Sequence, residues 1–184
     1  MKISSSLLLL FILMCMGCGS SNKIVEPSAQ SRQLDQWVAQ KSFEINSDWA
    51  IPLMTNSLNQ VTNAGIMPPG SSANRISIIG TSNHLRMSVG ELDASLPFFG
   101  ERQVGGGYNN AGSGIILQGT PRNYEAVKDE RTLKHTIKFD VRNKTEAFDV
   151  TLTLYPNLTS EIQINSSQRF PMRYTGRVKA IAAE

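Results

Sequence analysis

The chain has 184 residues, 40% hydrophobic and 18% charged, with a formal net charge of +3 and only two cysteines. This is the composition of an ordinary globular domain, long enough to bury a core without disulfide staples. The 18 basic residues face 15 acidic ones and form no stripe with interleaved aromatics, which excludes nucleic acid as a partner.

Lys2 supplies a positive start, and Leu7 to Met16 form an apolar run of ten residues. That is too short to span a bilayer and matches the hydrophobic region of an export signal. Gly17 and Cys18 follow, then the polar run Gly19-Ser20-Ser21-Asn22-Lys23. The pattern resembles a bacterial lipobox, in which a cysteine thiol takes a diacylglyceryl group before cleavage. Cys18 is the expected lipidation residue, because Met14, ahead of the rival Cys15, is bulky for a signal peptidase pocket. Cys15 itself is a departure, since leucine is usual three residues before the lipidated cysteine. A plain secretory signal with incidental cysteines is the alternative. Removing residues 1–17 leaves 167 residues and, with Cys18 lipidated, no free thiol. Thiol catalysis, a cysteine zinc cluster and a disulfide framework then fall away together. The expected location is the cell envelope, lipid-anchored, at the outer membrane and facing the periplasm.

Residues 18–28 read as the lipidated cysteine and a flexible tether, too small and polar to bury apolar surface. Residues 29–184 read as a single β-rich domain. From Ala29 to about Lys41 the pattern is helical. Leu34, Trp37, Val38 and Lys41 fall on one face, with the Lys41 stem able to snorkel at its edge. After Ser42 the alternation is that of strands. Phe43 and Ile45 start it, Pro52 ends it, and the polar stretch 55–74 reads as loop, marked by Pro68-Pro69-Gly70. Arg75–Ile79 and Leu85–Val89 look like a hairpin turned by Gly80-Thr81-Ser82-Asn83. Gly90 turns a second hairpin into Leu92, Ala94 and Leu96. Further on, Leu133 to Val141 and Phe148 to Leu154 alternate, with 142–145 as the turn between them. Ile162 and Ile164 continue the pattern, then Met172, Tyr174, Gly176 and Val178. Period-2 alternation in short segments means antiparallel strands with one wet face. The expected fold is mainly β: an antiparallel meander of eight or nine strands, curled into a barrel, half-barrel or sandwich, with one N-terminal helix. Asn-x-Ser/Thr sequons at Asn143, Asn157 and Asn165 are read as turn and strand residues, given the bacterial lipobox.

Several of these stretches resemble one family. Phe43-Glu44-Ile45-Asn46, Ala50-Ile51-Pro52, Leu96-Pro97-Phe98-Phe99-Gly100, Gly114-Ile115-Ile116-Leu117, Arg169 and Tyr174-Thr175-Gly176 are similar to bacterial lipoproteins grouped as domain of unknown function 4251, chiefly of Bacteroidetes. The departures are a longer connection at 63–74 and Phe170-Pro171 before the last strand. The resemblance implies a location and a domain boundary. It implies no activity, so no catalytic residues carry over.

The glycine-rich segment Gly100–Gly114 has the Gly107/Gly112 spacing of a phosphate loop. Ser113-Gly114 stands where the lysine is required, and a strand rather than a helix follows. It reads as a loop, or as a lid over a cavity with Tyr108, Asn109 and Asn110 as contacts. Pro97 ends a strand, so Phe98 and Phe99 read as a core-closing corner, one of whose rings could line a pocket mouth. His84 and His135 are the only histidines, and His135 points to the apolar face. Neither has a carboxylate at the spacing of a triad or metal site, so no metal and no cofactor are expected. Arg173, Arg177 and Lys179 share one strand face, Lys134 and Lys138 another. Were those strands adjacent, they would form a basic patch for anionic sugars, lipid headgroups or peptidoglycan carboxylates. Otherwise they are solvated faces.

The favoured function is a non-enzymatic, monomeric envelope lipoprotein whose β-domain binds a small molecule, glycan or envelope protein near the membrane. Phe98, Phe99, Tyr108, Arg173 and Arg177 are its candidate contacts. A structural or assembly accessory is the alternative. A hydrolase of envelope polymers is a third reading, with Glu91, Asp93 and Glu101 as its nearest carboxylates and no nucleophile elbow or metal cluster to support it.

Overall fold

The structure, a computed structural model, describes residues 25–103, 114–143 and 146–181. The export signal, Cys18, the first part of the tether and the glycine-rich stretch with Tyr108 lie outside the described residues. Helix α1 (Ala29–Ala39) is followed by β1 (Phe43–Pro52), α2 (Asn56–Asn63), β2 (Ile76–Ser77), β3 (His84–Ser88) and β4 (Glu91–Leu96). Then come β5 (Ile115–Gly119), β6 (Arg122–Asp129), β7 (Lys134–Asn143), β8 (Glu146–Leu154), β9 (Thr159–Ser166) and β10 (Met172–Lys179).

All ten strands form one antiparallel sheet in the order β5-β4-β3-β1-β10-β9-β8-β7-β6, with β2 paired to β1 off this path. The sheet curls into a half-barrel, as the alternation implied. Its two edge strands are consecutive in the chain, linked through Thr120 and Pro121. The ribbon 115–129 therefore pairs with β4 by one end and β7 by the other. Asn143 Nδ2 ties the two sides further by donating to Ile116 O at 3.0 Å. Inward residues from the strands, among them Phe43, Ile45, Leu85, Phe139 and Tyr174, make one core. The β3–β4 hairpin turns on Val89-Gly90, both at positive φ (51° and 89°), which suits a two-residue turn in a right-twisted ribbon.

α1 begins where its cap dictates. The Ser28 hydroxyl accepts from Ser31 N at 3.1 Å, and Ser31 Oγ accepts from Ser28 N at 2.9 Å. Val25 N donates to Arg131 O at 3.0 Å, so the chain entering the helix runs beside the β6–β7 turn. Leu34 and Val38 enter the core, as their spacing predicts. On the same helix, Asp35 meets His135 Nε2 at 2.7 Å and Lys128 Nζ at 3.0 Å. His135 is thus a satisfied core histidine. Desolvation pushes the Asp35 carboxyl up, but hydrogen bonds from His135 and Lys128 outweigh it and hold the group below its ordinary 3.8. A folded-state value below the unfolded one contributes stability above pH 3.8 that is lost as pH falls through the folded value. Asp35→Asn is therefore expected to lower Tm at neutral pH, the gap from the parent closing below pH 3.8. Melting curves across that range check it. A gap independent of pH would mean that Asp35 acts by shape alone.

Three sequence expectations need correction. The stretch 55–74 holds α2, capped by the Thr55 hydroxyl accepting from Leu58 N at 3.2 Å and anchored by buried Leu58. Its short amphipathic pattern is masked by polar residues on the remaining faces. The expected 75–89 hairpin is absent, because β2 and β3 both pair with β1, one beyond the other. Between them the Asn83 side chain stands in for a strand, its Oδ1 accepting from Ser47 N at 2.9 Å and its Nδ2 donating to Ser47 O at 3.0 Å. Finally, β6 carried no expected strand. It is an edge whose residues are mostly exposed, so no burial pattern marks it.

Candidate ligand-binding groove

β10 turns Tyr174 and Val178 into the core and Arg173, Thr175, Arg177 and Lys179 to the outer face. Beside it, β1 carries a bulge: Ser47 faces Gly176 and Trp49 faces Thr175, so Asp48 is an extra residue. The bulge fits because Gly176 has no side chain. A Cβ there would lie 2.0 Å from Asn46 O. On the far side, β9 offers Thr159 and Glu161, and the β8–β9 turn offers Tyr155. Asn157 Oδ1 shapes that turn by accepting from Thr159 N at 3.2 Å and Thr159 Oγ1 at 2.7 Å.

Together these groups enclose an open groove of about 260 Å³, lined by Asp48, Trp49, Tyr155, Glu161, Thr175 and Arg177, with Thr159, Ser160 and Gly176. The volume is near the lower edge of the ~300–1,000 Å³ typical of ligand pockets. Trp49 also carries Arg75, whose Cζ lies 3.9 Å from its ring centroid. Ser160, on the inward register of β9, is 3% exposed, and its hydroxyl has no hydrogen-bond partner among the described residues. Arg177, expected as a contact, thus shares a groove with two aromatic and two acidic side chains that the sequence did not connect to it. Arg173 lies one cleft further along β10, a 130 Å³ hollow lined by Ile51, Pro52, Leu53, Gln163 and Met172. Its Nε reaches Glu161 Oε1 at 3.3 Å, so Glu161 links the two clefts.

The extended basic patch does not form. β9 and β8 separate β10 from β7, so Lys134 and Lys138 are three strands away. Arg173 is paired with Glu161, and Lys179 Nζ lies 3.1 Å from Glu44 Oε1. Glu44 is 6% exposed and also holds Arg86 at 2.9 Å. Desolvation raises the Glu44 carboxyl, but hydrogen bonds from Lys179 and Arg86 bring it below its usual range. Of the three basic residues expected on β10, Arg177 alone has no ion pair among the described residues.

Phe98 and Phe99 are brought to a different place, the corner where β4 ends. Both are half-buried against the core. The Arg169 guanidinium carbon lies 5.1 Å from the Phe98 ring centroid. Tyr174, fully buried, donates its hydroxyl to Pro97 O at 2.7 Å, and burial pushes its pKa up strongly. Arg169 Nη1 donates to Gly114 O at 3.2 Å, and its Nε to Glu146 Oε1 at 2.8 Å. Arg102 Nη2 also reaches Glu146, at 3.2 Å. Sequence reasoning missed Glu146 because no local pattern marks a strand-end carboxylate as buried. The arrangement is that of a core-closing corner.

The carboxylates named for hydrolysis are engaged on the surface of β4 or near it. Asp93 binds His84 Nε2 at 2.7 Å and Gln118 Nε2 at 3.1 Å, while Glu91 accepts from Thr120 at 2.6 Å. Glu101 is exposed. No group of three or more His, Cys, Asp or Glu that could hold a metal occurs among the described residues. Nor is any described helix long and apolar enough to cross a membrane.

No curated protein matches the chain. The crystal structure of a DUF4251 family protein from Bacteroides eggerthii DSM 20697 is similar at 13% identity. It superposes with a TM-score of 0.56 over 84% of this chain and 89% of that one, which is a likeness of fold. The family model for the domain of unknown function DUF4251 matches residues 26–178, a span that includes both the corner and the groove, and the chain belongs to that family.

Proposed function

We propose that this is a lipid-anchored envelope protein whose half-barrel binds a ligand at the Arg177 groove without chemical turnover. The observation that carries the binding half is the convergence of Arg177, Asp48, Glu161, Trp49 and Tyr155 on one hollow from three separate strands and a turn. Convergent polar groups beside aromatic surface are the composition of a binding site. The lipobox at Cys18 supports the anchoring half. Two or three acyl chains hold a protein at a bilayer durably, each buried methylene contributing about 0.8 kcal/mol. Cys18→Ala is expected to abolish palmitate incorporation and to leave the protein uncleaved or soluble. Label still entering that variant would reject Cys18 and point to Cys15.

Hydrolysis of an envelope polymer is a second reading, favoured by one observation: Asp48 and Glu161 line the same groove. Glu161 is already engaged by Arg173, and the groove is open to water, which weakens the case for a proton-transfer pair. Turnover of a bound polymer that disappears in Asp48→Asn would displace the non-enzymatic reading.

A further inference from the structure

We infer that the groove's ligand is a neutral saccharide, held as one or two sugar rings. This rests on the groove being a binding site and names what it binds. The charges that line it balance locally: Asp48 and Glu161 are acidic, Arg177 is basic, and Arg173 sits on Glu161. With Glu161 held by Arg173, an anionic sugar or headgroup would meet the Asp48 carboxylate beside the Arg177 guanidinium. A neutral ring meets no such penalty. Its hydroxyls donate and accept at once, which suits acceptors at Asp48 and Glu161, donors at Arg177, and hydroxyls at Thr159 and Thr175. Tyr155, with the part of Trp49 that Arg75 does not cover, supplies aromatic surface for the apolar C–H face of the ring. Tyr155 remains 36% exposed.

A peptide fits less well. The floor of the groove is β1, β10 and β9, and each has a strand partner on both sides, so no backbone edge is free for strand addition. A lipid fits less well again, since charged and hydroxyl groups outnumber rings. The hollow is also too small for an acyl chain to be enclosed.

The chain has two tryptophans, Trp37 against the core and Trp49 in the groove, so Trp37→Phe leaves Trp49 as the reporter. In that background, the full-length protein in detergent is titrated with methyl glycosides of glucose, galactose, mannose and N-acetylglucosamine. Parallel titrations use methyl glucuronide and a zwitterionic dipeptide. A saturable shift in Trp49 emission with at least one neutral glycoside is expected. Tyr155→Ala and Arg177→Ala should each weaken it tenfold or more, by the scale of one lost stacking or charged contact. Tyr155→Phe should restore it, which separates lost stacking from lost folding. Lys138→Ala, three strands away, should leave it unchanged. If only the glucuronide or the dipeptide saturates, and Arg177→Ala removes that signal, the groove binds but the saccharide assignment is wrong. If none of the probes shifts Trp49 up to roughly 100 mM, where affinity is negligible, the groove is not a binding site and both readings fall.

Discussion

Glu146→Ala is expected to cost about 3–5 kcal/mol, the scale for removing one partner from a buried charge pair. Glu146 is 6% exposed and gathers most of the corner's donors. Its Oε1 takes Arg169 Nε and the Ser166 hydroxyl, and its Oε2 takes Arg169 Nη2 and Arg102 Nη2, each at 3.2 Å. Removing it leaves Arg169, itself 7% exposed, without its carboxylate. The corner then loosens as a unit, because segment 101–103 pairs with 168–170 above it through Gln103 N to Gln168 O at 2.8 Å. Against a typical stability of 5–15 kcal/mol the loss is enough to unfold a marginal domain. Glu146→Gln keeps the shape and part of the bonding and should fall between. Arg173→Ala breaks an exposed pair and should cost about 1 kcal/mol or less. Urea midpoints of the three variants rank them. Equal, small losses for Glu146→Ala and Arg173→Ala would show that the corner is not held by its buried charges.

The half-barrel was legible wherever one strand face is buried. β7, β8 and β9 alternate strictly, and the inward residues named on them are buried, as are Met172, Tyr174 and Val178 on β10, where Gly176 interrupts the pattern beside the bulge. Leu133 is the exception in detail, standing just before β7 at φ 56° and still buried. Legibility failed where pairing departs from neighbours in sequence. A short β2 beside β1, with Asn83 imitating a strand, leaves no periodic trace. β6 fails for the opposite reason, since an exposed edge needs no alternation.

The stretches that carried the family likeness were legible as a pattern but not as a mechanism. Leu96-Pro97-Phe98-Phe99-Gly100, Gly114, Arg169 and Tyr174 lie far apart in sequence and meet at one corner. A Cβ on Gly114 would stand 2.4 Å from Leu96 O, which explains that glycine. The groove was only half legible. Arg173 and Arg177 were singled out for their charge, yet what surrounds Arg177 depends on a bulge and on strand order. Neither Asp48 nor Tyr155 carries a local signal of its role.

Gly176→Ala is expected to be among the most damaging small substitutions beside the groove, costing about 3 kcal/mol, at the upper end of overpacking effects. The new Cβ would stand 2.0 Å from Asn46 O and 2.6 Å from Ser47 Cα. Both obstacles are backbone, so no side chain can rotate away. β1 must move, and the part of β1 that moves is the bulge that places Asp48 at the groove. Ser47 cannot yield alone, because Asn83 holds its N–H and carbonyl from the other side. Stability and ligand affinity should therefore fall together, unlike Arg177→Ala, which should weaken binding and spare stability. Gly70→Ala is the comparison: it has open space around it and φ of +77°, so only the left-handed conformation is penalised, by about 1–2 kcal/mol. Melting temperatures and Trp49 titrations of the three variants separate these causes. A Gly176→Ala protein as stable as its parent would mean that β1 relaxes freely at the bulge, and the groove would then lack the fixed wall on which its geometry depends.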